Sequence, residues 1–165
     1  MATPLTKFKL LLGSGFYSGF LPQAPGTWGS LVALVPIYLL SRFFPLFGLP
    51  LFLLLSILAS LWVTEACVDE WGKDPSKLVL DEWAGQAVVF LGLPFYNIIG
   101  PDLLLLITGF IFFRFFDIKK PLGVNELQQF PGGWGILLDD LLAGVYAMFC
   151  LYGSVFGYAL LSALI

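Results

Sequence analysis

Long apolar runs punctuated by Pro and Gly, rather than any single motif, most constrain what this chain can fold into. Ser30–Phe47 is apolar and broken late by Pro45, and Leu51–Cys67 follows Pro50. Trp83–Leu93 is apolar but interrupted by Gly92 and then Pro94. Leu103–Phe116 and Ile136–Ile165 complete the set. A membrane helix needs about 20 largely apolar residues, and at 1.5 Å per residue Trp83–Leu93 covers only about 16 Å, half a bilayer. That segment is a half-span, or it recruits Phe95–Ile99 to finish a crossing. The expected fold is an all-α polytopic membrane helix bundle with about four to five transmembrane segments in a single domain over residues 1–165. Gly13–Pro22 is too glycine-rich for a plain span. It is expected at the interface, or re-entrant and packed on protein.

Composition supports a bilayer over water. Hydrophobic residues make up 59% of the chain and charged residues 12%, with a mean hydropathy of +0.92. Soluble domains run at about 45–50% and about 25%. A net charge of −3 with 8 Lys+Arg excludes a nucleic-acid footprint. The absence of His excludes Ser-His-Asp triads and HExxH zinc sites. Cys67 and Cys150 have no metal-ligand spacing, and Asp69 and Glu70 beside Cys67 would repel a phosphate, so both cysteines read as core residues. Leu10–Leu12 is too short for a cleavable signal.

Basic residues set the orientation. With the N-terminus inside, every Lys and Arg except Arg42 falls on the cytoplasmic side, and the outer loops at Gly48–Pro50 and Phe95–Asp102 carry none. The carboxylates crowd the same side, with only Asp102 outside. Loop solvation accounts for Asp69, Glu70, Asp74 and Glu126, but Asp81, Glu82, Asp117, Asp139 and Asp140 lie against or inside apolar runs. A charge at the bilayer centre costs roughly 2.5–3.5 kcal/mol on insertion scales, less near the interface. Asp81 can cap a helix, which leaves Glu82 unexplained. Asp139 and Asp140 are adjacent and repel, and a helix start offsets only about 0.3–1 kcal/mol each. A hard divalent cation with oxygen ligands, Mg²⁺ by default, is the alternative, and Asp81, Glu82, Asp117, Asp139 and Asp140 are expected to converge around it as metal-ligating and catalytic candidates. Arg114 and Asp117 are spaced to pair on one helix face. With Lys120 they can instead form a phosphate clamp beside a metal ligand.

Two glycine-rich segments share a pattern. Pro25-Gly26-Thr27-Trp28-Gly29-Ser30-Leu31 matches Pro131-Gly132-Gly133-Trp134-Gly135-Ile136-Leu137 at Pro, Gly, Trp, Gly and Leu. Each opens an apolar helix. N–H groups at such a start suit an anion, and Trp suits the headgroup level. Thr27 and Ser30 make the first copy a candidate anion cradle. The second leads into Asp139 and Asp140. Neither has a P-loop lysine.

These segments, with Gly72–Gly85, Phe113–Pro121 and Gly132–Gly144, resemble the phosphatidylglycerophosphatase A family of bacterial membrane lipid phosphatases. They occur in the family's order across most of the chain. The resemblance implies Mg²⁺-dependent dephosphorylation of phosphatidylglycerophosphate to phosphatidylglycerol. It implies a multi-pass protein of the bacterial inner membrane, acting on a lipid phosphate among membrane lipids, with its site facing the cytoplasm. With no His, proton transfer falls to a carboxylate or to water activated by the cation, and an Asp nucleophile is equally open. The competing class is a small cation-binding transporter or channel. It accounts less well for polar groups gathered at one face, since a pathway places them near the midplane.

The orientation is testable with single cysteines at Asn97 and Asn125 in a background lacking Cys67 and Cys150. Impermeant thiol reagents should label position 97 in intact cells and position 125 only after lysis; the reverse pattern would invert the topology.

Overall fold

The computed structural model describes residues 3–73, 75–121 and 123–164. Asp74, within one stretch of the resemblance, and Ile165, the end of the last expected span, lie outside the described residues. The described residues are helical and form no strand: α1 (Pro4–Gly13), α2 (Pro25–Phe43), α3 (Gly48–Trp71), α4 (Leu80–Val89), α5 (Ile99–Lys119), α6 (Val124–Leu127) and α7 (Gly133–Ala163), with a 3₁₀ turn at Ser18–Phe20.

Helix ends follow local chemistry. α2 starts ahead of the expected Ser30 because Pro25 occupies its first turn, where a fixed φ is already helical and a missing N–H costs nothing. It ends at Phe43, ahead of Pro45. α3 runs past Cys67 through the polar residues to Trp71 and stops at Gly72, whose φ of +99° a side chain would resist. Hydropathy marks where a helix is apolar, not where its hydrogen bonds stop.

Among the described residues, three helices are long and apolar enough to cross a membrane: α3, α5 and α7. This is fewer than the expected four to five. α2 has 19 residues but carries a glycine-rich first turn, Pro36 and Arg42. α4 has 10 residues, a rise of about 15 Å, too short to cross a bilayer by itself. Its apolar character has a different cause from that of a lipid-facing span: Trp83, Ala84, Ala87, Val88 and Val89 are all buried by neighbouring helices.

α4 is wedged among α2, α3, α5 and α7. On α7, Leu137, Asp140, Gly144, Ala147 and Leu151 are buried at alternating spacings of three and four, one face of a helix. The backbones approach closely at Gly85 and Gly144. A Cβ on Gly144 would land on the carbonyl oxygen of Gly85, and one on Gly85 would stand 2.6 Å from the Asp140 carbonyl oxygen and the Phe113 ring. Small residues permit such approach in apolar bundles.

The Gly13–Pro22 segment turns back on itself. Gly15, Phe16 and Tyr17 all have positive φ, and the Val79 N–H donates to the Gly13 carbonyl oxygen at 2.9 Å. The segment therefore rests on protein, while Phe16, Tyr17 and Phe20 remain exposed.

Gly144→Ala should lower the melting temperature in detergent through overpacking worth about 1–3 kcal/mol. Gly157→Ala, with nothing within 4 Å of its new methyl, should not. Equal melting of both variants would show that the α4–α7 contact is slack.

Candidate active site

A cavity of about 290 Å³ opens where the first turns of α2, α4 and α7 meet the last turn of α5. Asp81, Glu82, Asp117, Asp139 and Asp140 all line it, as do Arg114 and Lys120. Asp81 is 6% exposed, Asp139 3% and Asp140 4%. The convergence follows from the helix contacts. Asp81 and Asp140 each precede by four residues the glycine at which α4 touches α7, so each stands one turn above that contact.

The carboxylates divide by partner. Arg114 Nη1 pairs with Asp117 Oδ2 at 2.5 Å, one turn along α5, and donates to Ser30 Oγ at 3.3 Å. Ser30 Oγ in turn donates to the Gly26 carbonyl oxygen at 2.7 Å. Arg114 Nε is buried without a partner. Lys120 forms an ion pair with Asp139 Oδ2, and Gln128 Nε2 donates to the same oxygen at 2.8 Å. Asp139 Oδ1 accepts from the Asp140 N–H at 3.1 Å. Lys120 adopts φ of +45° just past α5, which turns the chain at the edge of the cavity. Burial pulls its amine down, but the hydrogen bond to Asp139 and the charges of Asp139, Asp140 and Asp117 outweigh this and hold it above its ordinary value. It stays protonated at physiological pH.

Asp81, Glu82 and Asp140 have no such cation. One oxygen from each lies within 4.8 Å of the others, a grouping that can hold a metal ion. Asp81 Oδ1 and Glu82 Oε2 are buried with no hydrogen-bond partner. Carboxyl oxygens crowded together, buried and partnerless, fit a hard cation; oxygen donors without nitrogen or sulfur suit Mg²⁺ or Ca²⁺.

The two glycine-rich copies differ in position. In the first, Ala24, Pro25 and Gly26 line the cavity, and a Cβ on Gly26 would collide with Glu82 Oε1. Ser30 is fully buried and braces Arg114. Thr27 is half-buried in the same turn and is not among the lining residues. In the second copy only Ile136 reaches the cavity, while Gly133 packs on Thr64 and Gly135 on the carbonyl oxygens of Gln128 and Phe130. Trp28 and Trp134 are both exposed. Gln128 was not foreseen: an amide in a polar loop carries no signal, and only the fold brings it to Asp139.

Comparison with known proteins bears on this site. The family model described as phosphatidylglycerophosphatase A matches residues 11–155. A Bacteroides thetaiotaomicron protein named "Putative phosphatidylinositol-3-phosphatase" is 40% identical over 146 residues, covering 84% of this chain and 87% of that protein. Proteins named phosphatidylglycerophosphatase A from Haemophilus influenzae and Escherichia coli are 34% and 33% identical, covering 90% and 86% of this chain and 93% and 80% of their own lengths. No solved structure gives a significant match. None of these relatives supports the alternative of a cation transporter or channel.

If the partnerless oxygens hold a cation, Mg²⁺ at 100 times its dissociation constant should stabilise the detergent-solubilised protein by about 2.7 kcal/mol. The rise in melting temperature should be absent from Asp140→Asn. A rise of equal size in wild type and variant would remove Asp140 from the cation site.

Proposed function

This chain belongs to the phosphatidylglycerophosphatase A family, and on that premise we propose that it hydrolyses the phosphate monoester of phosphatidylglycerophosphate, releasing phosphatidylglycerol and phosphate. The observation that carries the reading is the single cavity in which Asp81, Glu82 and Asp140 stand beside Arg114 and Lys120. Acidic oxygens for a cation and basic groups for a phosphate occur together, flanked by apolar helices that suit acyl chains.

In this reading Asp81, Glu82 and Asp140 hold Mg²⁺. When bound, the ion supplies polarisation of the phosphoryl oxygens and offsets charge in the transition state. Arg114 receives the phosphate. Its Nη1 is fixed by Asp117 and Ser30, while its partnerless Nε keeps a donor in hand. Lys120, held by Asp139 and charged, adds a second positive contact. Gly26 leaves room for Glu82 Oε1 at the cavity wall, and backbone N–H groups at the start of α2 favour an anion. A carboxylate of the cluster takes the proton of the attacking water, or an Asp attacks directly; the arrangement serves either route.

The membrane arrangement follows from where the helices begin and end. α2, α4 and α7 start at the cavity, and α5 ends there. We place this end at the cytoplasmic face of a bacterial inner membrane, because Lys73, Lys77, Arg114, Lys119 and Lys120 lie at or near it while Arg42 lies at the far end of α2. α2, α3, α5 and α7 then cross, and α4 with the stretch up to Ile98 carries the chain to the outer face.

Phosphate release from phosphatidylglycerophosphate in mixed micelles, with phosphatidylinositol 3-phosphate as the comparison substrate, tests this. Turnover should require Mg²⁺ and favour phosphatidylglycerophosphate. Asp139→Asn and Asp140→Asn should each lower kcat by about 10²-fold or more, and Arg114→Lys should lower kcat/KM through lost planar donor geometry. Preference for the inositol lipid would reassign the substrate; Mg²⁺-independent turnover, or full activity in both Asn variants, would refute the cation-centred site.

A further inference from the structure

One polar side chain beneath the cavity has no part in the site described above. Gln86 is fully buried, and neither Nε2 nor Oε1 has a hydrogen-bond partner. Leaving a buried polar group unpaired is destabilising, a penalty that Met or Leu would avoid. Packing alone therefore does not call for an amide here. Gln86 follows Glu82 by four residues, so the two share a face of α4, with Gln86 one turn deeper.

Glu82 shows what that amide can serve. Its Oε1 is the atom against Gly26, at the cavity wall. Its Oε2 is buried and partnerless. A carboxylate that no donor fixes can rotate out of the geometry a ligand needs, and residues outside the direct contacts commonly fix such groups. Gln86 is not among the cavity-lining residues, so it does not meet the substrate.

We propose that Gln86 is a positioning residue, whose side-chain N–H, across one internal water, holds Glu82 Oε2 so that Oε1 is presented at a fixed angle to the cation site. The two amide atoms and Glu82 Oε2 supply the polar partners that a trapped water requires. This inference rests on the cation reading of Asp81, Glu82 and Asp140 given above.

The test uses the full chain in detergent and the variants Gln86→Met, which keeps length and apolar volume, and Gln86→Asn, which keeps the amide but withdraws it by one methylene. Three quantities are read: the melting temperature without Mg²⁺, the Mg²⁺ concentration giving half of the thermal stabilisation, and kcat and KM for phosphatidylglycerophosphate. Gln86→Met should melt at or above the wild-type temperature. It should need about 10-fold more Mg²⁺ and lose about 10-fold in kcat, with KM for the lipid within about twofold. Gln86→Asn should move the same way by a smaller factor. Wild-type Mg²⁺ response and kcat in Gln86→Met overturn the proposal, and if that variant does not fold, wild-type values in Gln86→Asn overturn it. A wild-type protein that Mg²⁺ neither stabilises nor activates refutes the cation reading and this inference together; a normal wild-type response shared by the variants refutes this inference alone.

Discussion

The contact between Gly85 and Gly144 governs the rest of the structure. A side chain at either position would occupy space that the facing backbone already fills. Because the helices meet there, the residues four positions earlier, Asp81 and Asp140, stand side by side one turn above. α4 is otherwise a short helix with no means of holding its place in a bilayer. Its burial on every side by α2, α3, α5 and α7 gives it a rigid setting, and acids at its start inherit that rigidity.

Gathering these acids creates an electrostatic deficit that the chain meets only in part. Arg114 is engaged with Asp117, and Lys120 with Asp139. Beside them Asp81 and Asp140 are buried and Glu82 half-buried, and Asp81 Oδ1 and Glu82 Oε2 are oxygens that no protein donor satisfies. A fold that cared only for stability would replace such a group with apolar side chains. In the function proposed above, such a group inside an otherwise apolar bundle would offer a cation its oxygens next to the basic side chains of Arg114 and Lys120. The acids of this cluster lie at one end of the bundle, where Trp28, Trp134, Phe16 and Tyr17 are exposed, aromatic rings of the kind that suit headgroup depth.

Much of this was legible in the sequence. The apolar runs gave all-helical architecture, and Trp83–Leu93 was too short to cross. Acids beside apolar runs stood out because nothing local justified them, and those same residues line one cavity. Other features were not legible. Thr27 and Ser30 look equivalent as hydroxyls in a glycine-rich turn, yet Ser30 is buried beneath Arg114 while Thr27 does not reach the cavity. The two glycine-rich copies look alike, yet the first borders the cavity and the second packs mainly on α3 and the turn after α6. Gln86 and Gln128 carried no signal as amides among their neighbours.

What the sequence determined by itself are properties of segments: where the chain is apolar enough for a bilayer, and where Pro25 lets a helix begin and Gly72 makes one stop. These depend on hydropathy and backbone preference, which act within a few residues. Tertiary structure alone decided which acids share a cavity, which cation each one meets, and which oxygens are left without a partner. Those outcomes depend on distances between segments far apart in the chain, and such distances are set by how closely two helix backbones can approach, here at a pair of glycines whose partnership no local pattern records.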